Sequence, residues 1–151
     1  MRYGISPFAV GFGVLLWAGA IAGTAEAPSG LIGQWRSPAK RVCVSDARTG
    51  RPACSRISDA VSIERTSFGG ARDVKVQGEF TLPNAQLCQF EGLGYWDARS
   101  RRLEALDRNT GCEIALAPVG RELRGTVSNP HQCRSPCAGT SWLEGVALRR
   151  R

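Results

Sequence analysis

The sequence predicts an all-β fold: a small antiparallel meander barrel stapled by disulfides. Three observations lead there. Short runs of alternating apolar and polar residues recur along the chain, each closed by Gly, Pro, Asn or Asp. Long helical periodicity is absent. The chain has 151 residues and six Cys, an even number suited to a cross-linked exported domain.

Residues 1–25 come first and read as a secretory signal peptide. Arg2 supplies the charged start, an apolar run extends from Phe8 to Ala22, and small residues crowd the end at Ala22-Gly-Thr-Ala25. Cleavage after Ala22 or, as preferred here, Ala25 suits a small-x-small site. The apolar run is too short and too rich in Gly for a membrane span, which needs about 20 apolar residues. No Cys stands at the boundary, so a lipoprotein anchor is not expected. Residues 26–151 would then form one exported domain with no stable membrane insertion. The coding bias towards Arg, 18 against two Lys, suggests a GC-rich bacterial genome and a periplasmic or secreted location.

Strands are expected at 31–36, 41–45, 53–57, 60–67, 73–82, 86–96, 102–106, 112–119, 122–128 and 142–149. The clearest is 73–82, where Val74, Val76, Gly78, Phe80 and Leu82 share one face and Asp73, Lys75, Gln77, Glu79 and Thr81 the other. That alternation describes a strand buried on one side. So many short antiparallel strands favour closure, which removes exposed sheet edges.

The cysteines are Cys43, Cys54, Cys88, Cys112, Cys133 and Cys137. Cys43 and Cys54 flank Asp46-Ala-Arg-Thr-Gly-Arg-Pro52, a segment rich in turn formers, and can face each other across a hairpin. Cys88 and Cys112 both fall in strand-like runs, and Cys133-Arg-Ser-Pro-Cys137 can close on itself. Of the fifteen possible pairings, local chemistry therefore favours 43–54, 88–112 and 133–137. A metal site on His131, Cys133 and Cys137 is the competing arrangement. Zinc sites commonly join two short Cys/His clusters, and only one is present. No metal and no other cofactor is expected.

Leu31-Ile-Gly-Gln-Trp35 on the first strand and the basic end of the last, Gly145-Val-Ala-Leu-Arg-Arg-Arg151, resemble the calycin-type barrels, the lipocalins and their smaller relatives. That resemblance implies a barrel plug in which Gly33 and Trp35 lie under an arginine of the last strand, Arg149 or Arg150. The Leu-x-Gly-Gln-Trp form is similar to the bacterial periplasmic inhibitors of serralysin-type metalloproteases, whose N-terminal tail enters the protease cleft. The chain departs from that family in its six cysteines and in a short tail, 26–30. The stretch from Cys88 to Cys137 is similar to other small exported bacterial proteins, a likeness that implies no activity.

Catalytic signatures are sparse. His131 is the single histidine, and neither Ser128, Ser135 nor Ser141 stands in a nucleophile-elbow sequence. Glu79, Glu91, Glu104, Glu113 and Glu122 sit on the polar side of alternating runs, a poor setting for a paired-carboxylate site. Phosphate-loop and dinucleotide fingerprints are missing. The net charge of +7 comes with few aromatics between the basic residues, which argues against nucleic acid. The expectation is a monomeric, non-enzymatic exported binding protein, an inhibitor of an envelope or foreign hydrolase such as a protease or lysozyme. Its partner contacts would come from Glu26, Pro28 and Ser29 in the tail, from Tyr95, Arg99, Arg101 and Arg102, and from the loop 129–140. A carrier of a small apolar ligand in the barrel mouth is the alternative, and a His131-dependent enzyme a third reading.

Overall fold

The computed structural model describes residues 25–67, 74–134, 137 and 142–151; the expected signal peptide lies outside them but for Ala25. Ten strands follow one another: β1 (Gly33–Arg36), β2 (Lys40–Ser45), β3 (Pro52–Ile57), β4 (Ala60–Arg65), β5 (Val74–Thr81), β6 (Leu87–Asp97), β7 (Arg102–Leu106), β8 (Glu113–Val119), β9 (Glu122–Val127) and β10 (Ala147–Arg150). Eight of them close an antiparallel barrel in the order β1-β10-β9-β8-β7-β6-β5-β4, while β2 and β3 form a two-stranded sheet of their own. From β4 to β10 each strand pairs with its sequence neighbour, and β1 closes the ring between β4 and β10. The expected all-β barrel is therefore the fold.

Period-two alternation explains the ring. On β5, Val74, Val76, Gly78 and Phe80 are buried, while Gln77 and Glu79 are exposed. The same alternation buries Phe90, Gly92, Gly94 and Trp96 on β6, Leu103 and Ala105 on β7, and Leu123, Gly125 and Val127 on β9. These inward residues form one core.

The interior also receives side chains from outside the ring. The expected last strand, 142–149, is corrected: β10 begins only at Ala147, and Trp142 and Leu143 turn into the core at 3% and 0% exposure. A strand there would point Trp142 and Leu143 to opposite faces, and both are apolar. The ring of Trp142 meets Phe80 edge-on with centroids 5.0 Å apart and stacks over Phe90 at 6.4 Å. Inward glycines make room for this plug. A Cβ on Gly125 would lie 2.6 Å from Leu143 Cγ, and one on Gly78 would lie 2.5 Å from the ring of Phe80.

Two of the three expected disulfides are also corrected. Cys43–Cys54 forms as expected, but Cys88 pairs with Cys137 and Cys112 with Cys133. Strand adjacency explains this. Cys88 lies on β6 and Cys112 just before β8, and β7 runs between those strands. Cys133 and Cys137 instead reach separate strands and tie the β9–β10 connection across one end of the barrel. The 88–137 bridge spans 49 residues and 112–133 spans 21. In the chain-entropy view such loops stabilise by roughly 3–4 kcal/mol each. Both bridges hold the segment that delivers Trp142.

Candidate binding surfaces

Among the described residues the hairpin β2–β3 pairs with no barrel strand. Its residues from Cys43 to Arg56 are all exposed. Asp46 organises the tip: its Oδ1 accepts from the backbone N–H of Arg48 and Thr49, both at 2.8 Å, and from the Thr49 hydroxyl. These bonds hold the Asp46 carboxyl below its ordinary range, with the Thr49 N–H the largest cause. Arg41 stands directly opposite Arg56, two residues along the strands from the Cys43–Cys54 pair. Arg41 Nη2 donates to Cys54 Sγ at 3.3 Å. Like charges facing each other across strands disfavour the pair, and no carboxylate among the described residues bonds to either guanidinium.

Asp59 fixes the base of this hairpin to the barrel. It is 2% exposed, and its Oδ1 accepts from the backbone N–H of Thr81 at 2.9 Å while Oδ2 accepts from Lys40 Nζ at 2.8 Å. The Ser37 hydroxyl accepts from Asp59 N–H at 2.8 Å, and Ser37 N–H donates to Asp59 O at 2.9 Å. A projecting arm thus has a rigid root.

The N-terminal tail is docked on its own barrel. Ala25 bridges to Trp96, Glu26 pairs with Arg65, and Ala27 is buried with its carbonyl accepting from Arg65 Nη2 at 3.0 Å. Pro28 and Ser29 remain exposed. At the same end of the barrel, the β6–β7 turn displays Arg99, Arg101 and Arg102. Asp97 shapes that turn by accepting from the Ser100 hydroxyl at 2.6 Å and from Arg99 N–H at 3.0 Å. The Ser100 bond is the main reason its carboxyl titrates low. Tyr95 is half-buried and faces Glu104 across the strands.

The expected plug residues lie beside one another. Trp35 is buried and donates from Nε1 to Leu31 O at 3.0 Å. Its cross-strand partner is Arg150, not Arg149. Arg150 rests on Gly33, whose φ is +135°, and donates from Nη2 to Ile32 O at 3.1 Å. Arg149 points to the outer face, where its Nε and Nη2 donate to Glu122 Oε1.

Sequence reasoning missed a polar ladder on the outer face of β1, β4, β5 and β6. Gln34 donates to Ser62, Ser62 to Glu64, Gln77 to Glu91 and Gln89 to Glu79, at 2.9–3.2 Å. Its members mostly satisfy one another across neighbouring strands. The only advance sign was the run of Gln and Glu on outward positions.

His131 lies exposed in a 3-10 turn, Pro130–Gln132, and bonds to no Ser or carboxylate among the described residues. Ser135 and Ser141, like most of the loop 129–140 beyond Arg134, lie outside the described residues. Among the described residues no group of three His, Cys, Asp or Glu could hold a metal ion. The bridged cysteines fit an oxidising or extracellular compartment. No helix among the described residues is long and apolar enough to cross a membrane. Comparison with protein-family models, curated proteins and solved structures gave no significant match.

Proposed function

We propose that the chain is an exported, non-enzymatic binding protein of the periplasm or extracellular space that inhibits a hydrolase. It does so by presenting the β2–β3 hairpin to an acidic cleft. The observation that carries this reading is the hairpin itself: exposed from Cys43 to Arg56, bridged across its middle, anchored at Asp59, and bearing an Arg41–Arg56 pair that bonds to no carboxylate among the described residues. A pre-ordered arm loses little conformational entropy on docking. Opposite charge on the partner relieves the repulsion between the facing arginines and speeds encounter.

The likeness of Leu31-Ile-Gly-Gln-Trp35 to periplasmic inhibitor barrels supports the same class. The docked tail argues for a different inserting element, because releasing it would expose Ala27 and break the Arg65 contacts. The core placement of Trp142 and Leu143 favours a surface-binding role over a carrier of apolar ligands.

The test is affinity capture from an envelope or secreted fraction by the immobilised protein and by its Arg41→Glu/Arg56→Glu variant. The reading expects a hydrolase retained by the first and lost from the second. Equal capture by both would remove the hairpin from the proposal.

A further inference from the structure

The turn between β8 and β9 brings Arg121 to the end of β10, beside Trp35. Trp35, Arg121, Arg149 and Arg150 line an open hollow of about 400 Å³. A neighbouring hollow, lined in part by Arg36 and Arg151, shares Arg149 and Arg150 with it. We propose that this hollow is a binding site for a compact phosphate-bearing anion, independent of any hydrolase partner.

The charge balance is the first argument. Glu122 is the carboxylate at this place, and it is already engaged: Arg149 and Arg124 both donate to it at 3.1 Å. The two guanidinium groups hold its carboxyl below the ordinary range, Arg149 most strongly. Arg121 bonds to no carboxylate among the described residues, and Arg150 donates only to the Ile32 carbonyl. Of the three guanidinium groups that line the hollow, Arg149 is engaged by Glu122, whereas Arg121 and Arg150 bond to no carboxylate among the described residues.

Geometry is the second. Arg150 is held in place by Ile32 O and by its contact with Gly33, so its remaining N–H donors are oriented before a ligand arrives. Guanidinium forks match the oxygen spacing of a phosphate and can engage it from several sides, whereas a carboxylate offers one edge. Trp35 forms an apolar wall, and excluding water there strengthens the charge interaction.

Pyrophosphate is the soluble probe, titrated calorimetrically against the full exported domain. Vesicles of phosphatidylcholine with and without phosphatidic acid are the membrane probe, read by co-flotation. Arg121→Gln/Arg150→Gln should weaken binding at least ~10-fold, as expected for losing two charge-assisted contacts. Arg99→Gln/Arg101→Gln removes the same charge outside the hollow and should leave binding within about twofold. Binding of pyrophosphate assigns the ligand to free phosphates; binding only to phosphatidic acid vesicles assigns it to a lipid headgroup. Absence of both, or equal weakening by the two variants, overturns the site. Circular dichroism of each variant guards against misfolding, and Arg121→Gln alone, in an exposed turn, provides a second test.

Discussion

Trp142 sits edge-on against Phe80 in the barrel interior, although the two are 62 residues apart and Trp142 belongs to no strand. The plug they form joins the disulfide-bound β9–β10 connection to the core. Trp142→Ala should cost about 3–5 kcal/mol, the usual penalty for emptying a large aromatic site. Chemical denaturation measures this. A loss below about 1 kcal/mol would mean that the indole is not packed as described.

The bridges determine whether that plug stays in place. Peptide mapping without reduction should recover Cys88 linked to Cys137 and Cys112 linked to Cys133. Replacing both Cys88 and Cys137 by Ser should cost roughly 4 kcal/mol, given the long loop they close. Recovery of a Cys133–Cys137 peptide would contradict the topology at the barrel end.

Asp59→Ala leaves the Thr81 N–H without its acceptor in a buried place. The expected loss is about 2–3 kcal/mol, with faster amide exchange at Ser37, Asp59 and Thr81. Unchanged exchange at these amides would show that the hairpin root does not depend on this carboxylate.

Acid should weaken the fold for a stated reason. Asp46, Glu91, Asp97 and Glu122 all have carboxyl groups held low in the folded chain. A depressed folded value gives stability that is present above the unfolded value, about 4, and is lost as pH falls through the folded one. Glu104 runs the other way: burial, then the nearby Glu113, raises its carboxyl. Its effect on stability is most favourable below the unfolded value and fades as pH rises through the folded one. Glu104→Gln should therefore raise Tm at pH 7 and leave it unchanged at pH 3. Thermal melts at the two pH values decide this, and a fall in Tm at pH 7 would contradict it.

Much of the barrel was legible because strand alternation is a local property. Val74 to Phe80 declares its buried face within seven residues. Cys43–Cys54 was legible for the same reason, since a hairpin places its partners close along the chain. Cys88, Cys112, Cys133 and Cys137 were not, because their pairing depends on β7 separating β6 from β8. Trp142-Leu143 reads as strand until Gly78 and Gly125 are seen to leave space for a plug. Asp59 gave no signal, being one Asp between strands whose partners, Ser37 and Thr81, lie 22 residues to either side. Arg149 and Arg150 were visible in the basic end of the chain, but which of them lay by Trp35 awaited the register of β1 on β10.

The most direct test of the hairpin as a hydrolase-binding arm is a titration of secreted proteases and lysozymes. Each would meet the purified protein and its Arg41→Glu/Arg56→Glu variant. The prediction is stoichiometric inhibition of at least one enzyme, weakened at least ~100-fold by the paired charge reversal, as losing a central arginine pair would do. Full activity of every enzyme at micromolar protein, or inhibition that the reversal leaves intact, would contradict it.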